Sequence, residues 1–98
     1  MKASTLPVEH SFPTGSHGTT LVLMVCAGWL WAGLYASPHS ATPMKVAAAT
    51  GRSAAVRDRH LQVGTGRFAL SQKSLQSARR WLDRQGVRVR DLIAKETA

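Results

Sequence analysis

Residues 19–36 read Thr19-Thr-Leu-Val-Leu-Met-Val-Cys-Ala-Gly-Trp-Leu-Trp-Ala-Gly-Leu-Tyr-Ala36, and the conformation of this stretch decides how the rest of the chain is understood. No Asp, Glu, Lys or Arg occurs between Glu9 and Lys45, and the stretch itself is apolar almost without a break. As a helix, its 18 residues rise about 27 Å at ~1.5 Å each, just enough for a hydrocarbon layer of about 30 Å. Pro13, Gly15 and Gly18 precede it, Thr19 or Thr20 can cap its first turn, and Ser37-Pro38 disfavours its continuation. Every helical face is apolar, and the chain is too short to bury such a helix inside a larger domain. The expectation is therefore a transmembrane helix over about residues 19–36.

A cleaved secretory signal is the nearest rival. Its leader would be long and would carry Lys2 opposed by Glu9, and cleavage after Ala36 or Ala41 places Leu34 or His39 where a small residue is preferred. A lipoprotein signal needs a small residue before the modified cysteine, whereas Val25 precedes Cys26. An uncleaved span is favoured, with a secreted basic peptide as the alternative. The flanking charge, Lys2 on one side and Lys45, Arg52, Arg57 and Arg59 on the other, orients the amino terminus outside and the carboxyl tail in the cytoplasm. Gly28, Ala32 and Ala36 recur every four residues, and on a helix this small-residue face would pack against a second copy or a larger membrane protein. Trp29, Trp31 and Tyr35 cluster in the second half, with Tyr35 placed to anchor at the membrane interface.

The flanks are read accordingly, giving a mostly α chain in four parts. Residues 1–18, rich in Pro, Gly, Ser and Thr, form a disordered N-terminal segment. Residues 37–65 form a linker with weak short helices: Met44 to Thr50, stopped by Gly51, and Ser53 to Val63, stopped by Gly64. Residues 66–98 form a basic helical hairpin. Its first helix runs from about Gln72 or Leu75 to Gln85, capped by Ser71 or Ser74 and stopped by Gly86 with Val87 packing behind. Its second runs from about Val89 to Lys95, with an Asp91–Lys95 pair. The mini-core is Leu75, Ala78, Leu82, Val87, Leu92 and Ile93.

The net charge of +8 is concentrated toward the carboxyl end: residues 37–65 contribute +3 and residues 66–98 contribute +5. Such a tail suits anionic lipid or nucleic acid, with Arg79, Arg80, Arg84, Arg88 and Arg90 as the phosphate contacts and Trp81 partly exposed beside them. The string from Ala78 to Ala94 resembles the opening helix and turn of some phage and bacterial helix-turn-helix regulators. Arg88 stands where their capping Ser or Thr would be, and no base-contacting residue is carried over.

Catalysis finds no support in the residues present. The five carboxylates are scattered, Cys26 is the single cysteine, and His39 and His60 have no paired nucleophile. His10 and His17 are separated by Pro and Gly and make no metal site, and Gly64-Thr65-Gly66-Arg67 lacks the remaining residues of a phosphate loop and reads as a turn. The sequence thus predicts a non-enzymatic, single-pass membrane protein without cofactor, an accessory or structural subunit. Its expected partners are membrane lipid and a larger membrane protein or a second copy. A membrane-tethered nucleic-acid-binding protein ranks behind that reading.

Overall fold

The apolar run folds as a hairpin. Strand β2 (Thr20–Cys26) and strand β3 (Trp29–Tyr35) pair antiparallel, with Cys26 opposite Trp29 and Ala27-Gly28 as the turn. Gly28 takes φ +85°, a left-handed position that glycine adopts without a Cβ clash. The computed structural model describes residues 7–51 and 53–92. On either side of the hairpin, β1 (Val8–Pro13) pairs with β2 and β4 (Lys45–Thr50) pairs with β3, completing a four-stranded antiparallel meander.

A second four-stranded sheet follows. Strands β5 (Ser53–Arg57), β6 (His60–Val63) and β7 (Gly66–Ala69) form an antiparallel meander, helix α1 (Gln72–Arg84) crosses over, and β8 (Arg88–Asp91) returns parallel to β5, giving the order β7-β6-β5-β8. Asp58 and Arg59 form the two-residue turn between β5 and β6 with φ 50° and 62°, the mirror-image turn whose twist matches the strands it joins. Gly64-Thr65 makes the corresponding turn between β6 and β7, so the glycine string is a hairpin corner.

One core joins both sheets and the helix. Phe12, Leu21, Leu23, Val25, Leu30 and Ala32 face inward from the first sheet, and Ala54, Val56, Leu61, Val63 and Phe68 from the second. Leu75, Ala78, Trp81 and Leu82 enter from α1. Strands β3 and β4 pack across onto β6 and β7, while α1 lies against β1 and β8. Rings tie the helix to β1: His10 stacks on Phe12 with centroids 4.6 Å apart, and Phe12 meets Trp81 edge-on at 6.1 Å. Lys45 reaches across from β4, its Nζ 4.9 Å from the centre of the Phe68 ring, and donates a hydrogen bond to the Arg67 carbonyl.

The expectation of a mostly α chain with a transmembrane helix is overturned. Among the described residues α1 is the one α-helix, 13 residues long, and no helix is long and apolar enough to cross a membrane. The single-pass placement, the outside-to-cytoplasm orientation and the membrane-subunit role fall with it. The physical reason lies in the pairing of faces. Leu21, Leu23 and Val25 pair with Leu34, Ala32 and Leu30 toward the core, while Val22 and Met24 pair with Gly33 and Trp31 on the opposite face. Because both faces are apolar, the period of two that marks a strand is invisible. Gly28, Ala32 and Ala36 share no helical face: Gly28 is in the turn, Ala32 is in the core, and Ala36 lies beyond the end of β3.

Other segments read as disordered or weakly helical are also strands. The segment 1–18 contains β1, its first six residues lying outside those described, and the linker contains β4, β5 and β6. Within 66–98, α1 forms where expected: Ser71 caps it by accepting from the Ser74 amide at 3.3 Å. Gly86 ends it at φ +79°, and the Val87 amide returns to the Leu82 carbonyl at 2.9 Å. The second arm of the hairpin is instead β8 over Arg88–Asp91, Ile93 and Lys95 lying outside the described residues.

The alternation gives a direct test. Leu23 is fully buried, whereas its neighbour Met24 looks away from the core and is half-buried. Leu23→Ala is expected to cost about 2–5 kcal/mol, within the range for large-to-small core changes, and Met24→Ala under about 1.5 kcal/mol. Urea unfolding of the two variants measures both, and equal losses would contradict the strand register.

Candidate functional site

The basic residues are sorted by the second sheet. Residues directly opposed in a ladder share a face, so Arg67, Gln62, Ala55 and Arg90 form one row across β7, β6, β5 and β8. A neighbouring row holds Arg57 and His60, and on the other side Ser53 pairs with Arg88. All of these point away from the core that Val56, Leu61, Val63 and Phe68 face. Arg57, Arg67, Arg88 and Arg90 are exposed, while Ala55 is buried at the centre of the row between Gln62 and Arg90. Successive strands lie about 4.8 Å apart, so the row from Arg67 to Arg90 spans roughly 14 Å. Arg88 and Arg90, two residues apart on β8, sit about 6.6 Å apart along it. Among the described residues the carboxylate beside the face is Asp58 in the β5–β6 turn, whose Oδ2 lies 3.9 Å from Arg57 Nε.

The five arginines expected to act together are divided. Arg88 and Arg90 lie on this outer face. Arg80 and Arg84 are one turn apart on the exposed side of α1. Arg79 is committed elsewhere: its two terminal nitrogens reach the two carboxylate oxygens of Asp91 at 2.5 and 3.1 Å, bracing the helix against β8. That forked hydrogen bond holds the Asp91 carboxyl below its ordinary pKa and raises that of Arg79. Trp81, expected to be partly exposed, is buried in the core. Arg57 and Arg67 were not among the expected contacts. The signal for Arg57 was the alternation in Ser53-Ala-Ala-Val-Arg57, and for Arg67 that in Gly66-Arg-Phe-Ala69, which a helical reading hides.

The chemistry available on this face is that of guanidinium groups held by a paired sheet. Each presents a planar fork of donors that suits phosphate or carboxylate oxygens. His10 is stacked on Phe12 and His17 lies in the β1–β2 loop, and among the described residues no three His, Cys, Asp or Glu side chains gather as a metal site. Comparison of the chain with protein-family models, curated proteins and solved structures finds no match in any of the three.

The Arg79–Asp91 pair predicts the acid limb of stability. The folded state holds the carboxylate more tightly than the unfolded chain, so the stabilisation is complete above the ordinary carboxylate pKa of about 3.9. It is lost as pH falls through the lower folded value of Asp91. Asp91→Asn should flatten the dependence of the urea midpoint on pH below about 4. An unchanged acid limb would show that the pair contributes nothing to it.

Proposed function

We propose that this domain binds nucleic acid through the outer face of its second sheet. The observation that carries the reading is the exposed set Arg57, Arg67, Arg88 and Arg90 on one outer sheet face, with Asp58 as the carboxylate at its margin among the described residues. Guanidinium groups distributed over such a face neutralise phosphates at separate points along a polyanion and release the counterions those phosphates hold. Between them, Gln62 and Ser53 supply polar groups able to hydrogen-bond sugar or base edges. A lipid surface is less well matched. Ala55 and Ala69 are the apolar residues of the face, so no large apolar side chain stands out to enter the acyl boundary. The net charge of +8 adds a long-range attraction that speeds encounter with any polyanion.

The reading makes a salt-dependent prediction. With about four phosphate contacts, log K should fall against log salt with a slope of about −3.6 for duplex DNA and about −2.8 for a single strand. Fluorescence anisotropy with a labelled oligonucleotide measures it. Arg88→Glu with Arg90→Glu should weaken binding at least tenfold and reduce the slope by about two. The pair Arg80→Glu with Arg84→Glu, on the helix, should have a smaller effect. Equal losses from both pairs would indicate diffuse attraction without a defined face. Stronger binding to anionic vesicles than to any oligonucleotide would overturn the assignment.

A further inference from the structure

A pocket of about 400 Å³ lies between β1 and the first two turns of α1. The loop after β1 fixes the helix start beside it. The Ser71 amide donates to the Thr14 carbonyl at 2.9 Å, and a Cβ added at Gly15 would lie 2.9 Å from the Ser71 Cβ. The two walls of the pocket differ in chemistry. On the strand side stand His10 and Phe12, their rings stacked with centroids 4.6 Å apart, and His10 Nδ1 donates to the Ser11 carbonyl at 2.9 Å. On the helix side stand Lys73, Ser74 and Ser77.

The helix side is electropositive. The first turn of α1 holds no acidic residue, and Lys73 adds a positive charge at the positive end of the helix. Among the described residues no carboxylate lines the pocket. The Ser74 amide is capped by Ser71 Oγ and the Leu75 amide by the Ser71 carbonyl, which leaves the Gln72 and Lys73 amides with no acceptor within the helix. A second observation does not depend on the helix end. Ser74 is only 8% exposed, yet its hydroxyl has no hydrogen-bond partner among the described residues. It lies two helical turns before Trp81, on the stripe of α1 that meets Phe12, so its hydroxyl faces the space between helix and strand. A buried hydroxyl is costly until something satisfies it.

We propose that this pocket binds a phosphate monoester, with the phosphate against the first turn of α1 and the organic group along His10 and Phe12. A phosphate brings enough acceptor oxygens to take the Ser74 and Ser77 hydroxyls, a first-turn amide and the Lys73 ammonium together. A carboxylate, with two oxygens, would leave part of this donor set unmet. The pocket is larger than a phosphate alone fills, and its ring wall suits an attached sugar or aromatic group. None of these residues belongs to the arginine face of the second sheet, so the two sites stand or fall separately.

Titration of the isotope-labelled protein with phenyl phosphate, followed through its backbone amide resonances, tests the proposal. Saturable shifts centred on Lys73, Ser74 and Ser77 are expected, and sodium chloride at matched ionic strength should not reproduce them. Ser74→Ala, a small residue that suits a helix, should weaken binding at least tenfold, the loss of one hydrogen bond to a charged group, without lowering the urea midpoint. Arg88→Glu with Arg90→Glu should leave phenyl phosphate binding unchanged. In that doubly substituted protein, two hexathymidylates with and without a terminal phosphate monoester identify the source. A tenfold preference for the phosphorylated strand assigns a strand end, and equal binding of the two assigns a small free ester. Shifts that fail to saturate, shifts matched by chloride, or full affinity in the Ser74→Ala protein would each overturn the assignment.

Discussion

The ladder that sets Leu21 against Leu34, Leu23 against Ala32 and Val25 against Leu30 has to hold its register without help from hydrophobicity. In most half-buried strands a slip of one residue would carry polar side chains into the core, and that cost pins the pairing. Here the slip would bring in Met24 and Trp31, which are apolar too. Size and shape decide instead. The inner face of β3 and β4 meets the second sheet through Ala32, Ala47 and Ala49, so closely that a Cβ added at Gly66 would lie 2.5 Å from the Ala47 Cβ. An indole in place of Ala32 would overfill that contact, and overpacking of this kind typically costs about 1–3 kcal/mol. Outside, Gly33 leaves the space that Trp31 needs. The hairpin turn at Gly28 supplies the second restraint, since a two-residue loop fixes which residues oppose each other.

What could be read from the sequence follows the same logic. The helix α1 was legible because its signals are local: Ser71 as cap, Leu75, Ala78 and Leu82 on one face, and Gly86 followed by Val87 as the stop. Each acts within a few residues of itself. The strands of residues 19–36 were not legible. An unbroken apolar run satisfies a membrane helix and a pair of buried strands alike, and only the partner strands β1 and β4, remote in sequence or polar in character, tell them apart. Lys45 illustrates the point. Read as a positive flank outside a span, it instead rests over Phe68 and bonds to the Arg67 carbonyl, 22 residues along the chain.

The candidate site was half legible for a related reason. Positive charge was visible as composition, but the face on which each arginine lies depends on the period assigned to its segment. With period 3.6, Arg79, Arg80, Arg84, Arg88 and Arg90 appear as one cluster. With period two on the strands, Arg88 and Arg90 share a face with Arg57 on β5 and Arg67 on β7, while Arg79, on α1, pairs with Asp91. Asp91 was expected to serve Lys95 along a helix. Its partner is instead Arg79, so the pair ties β8 back to α1.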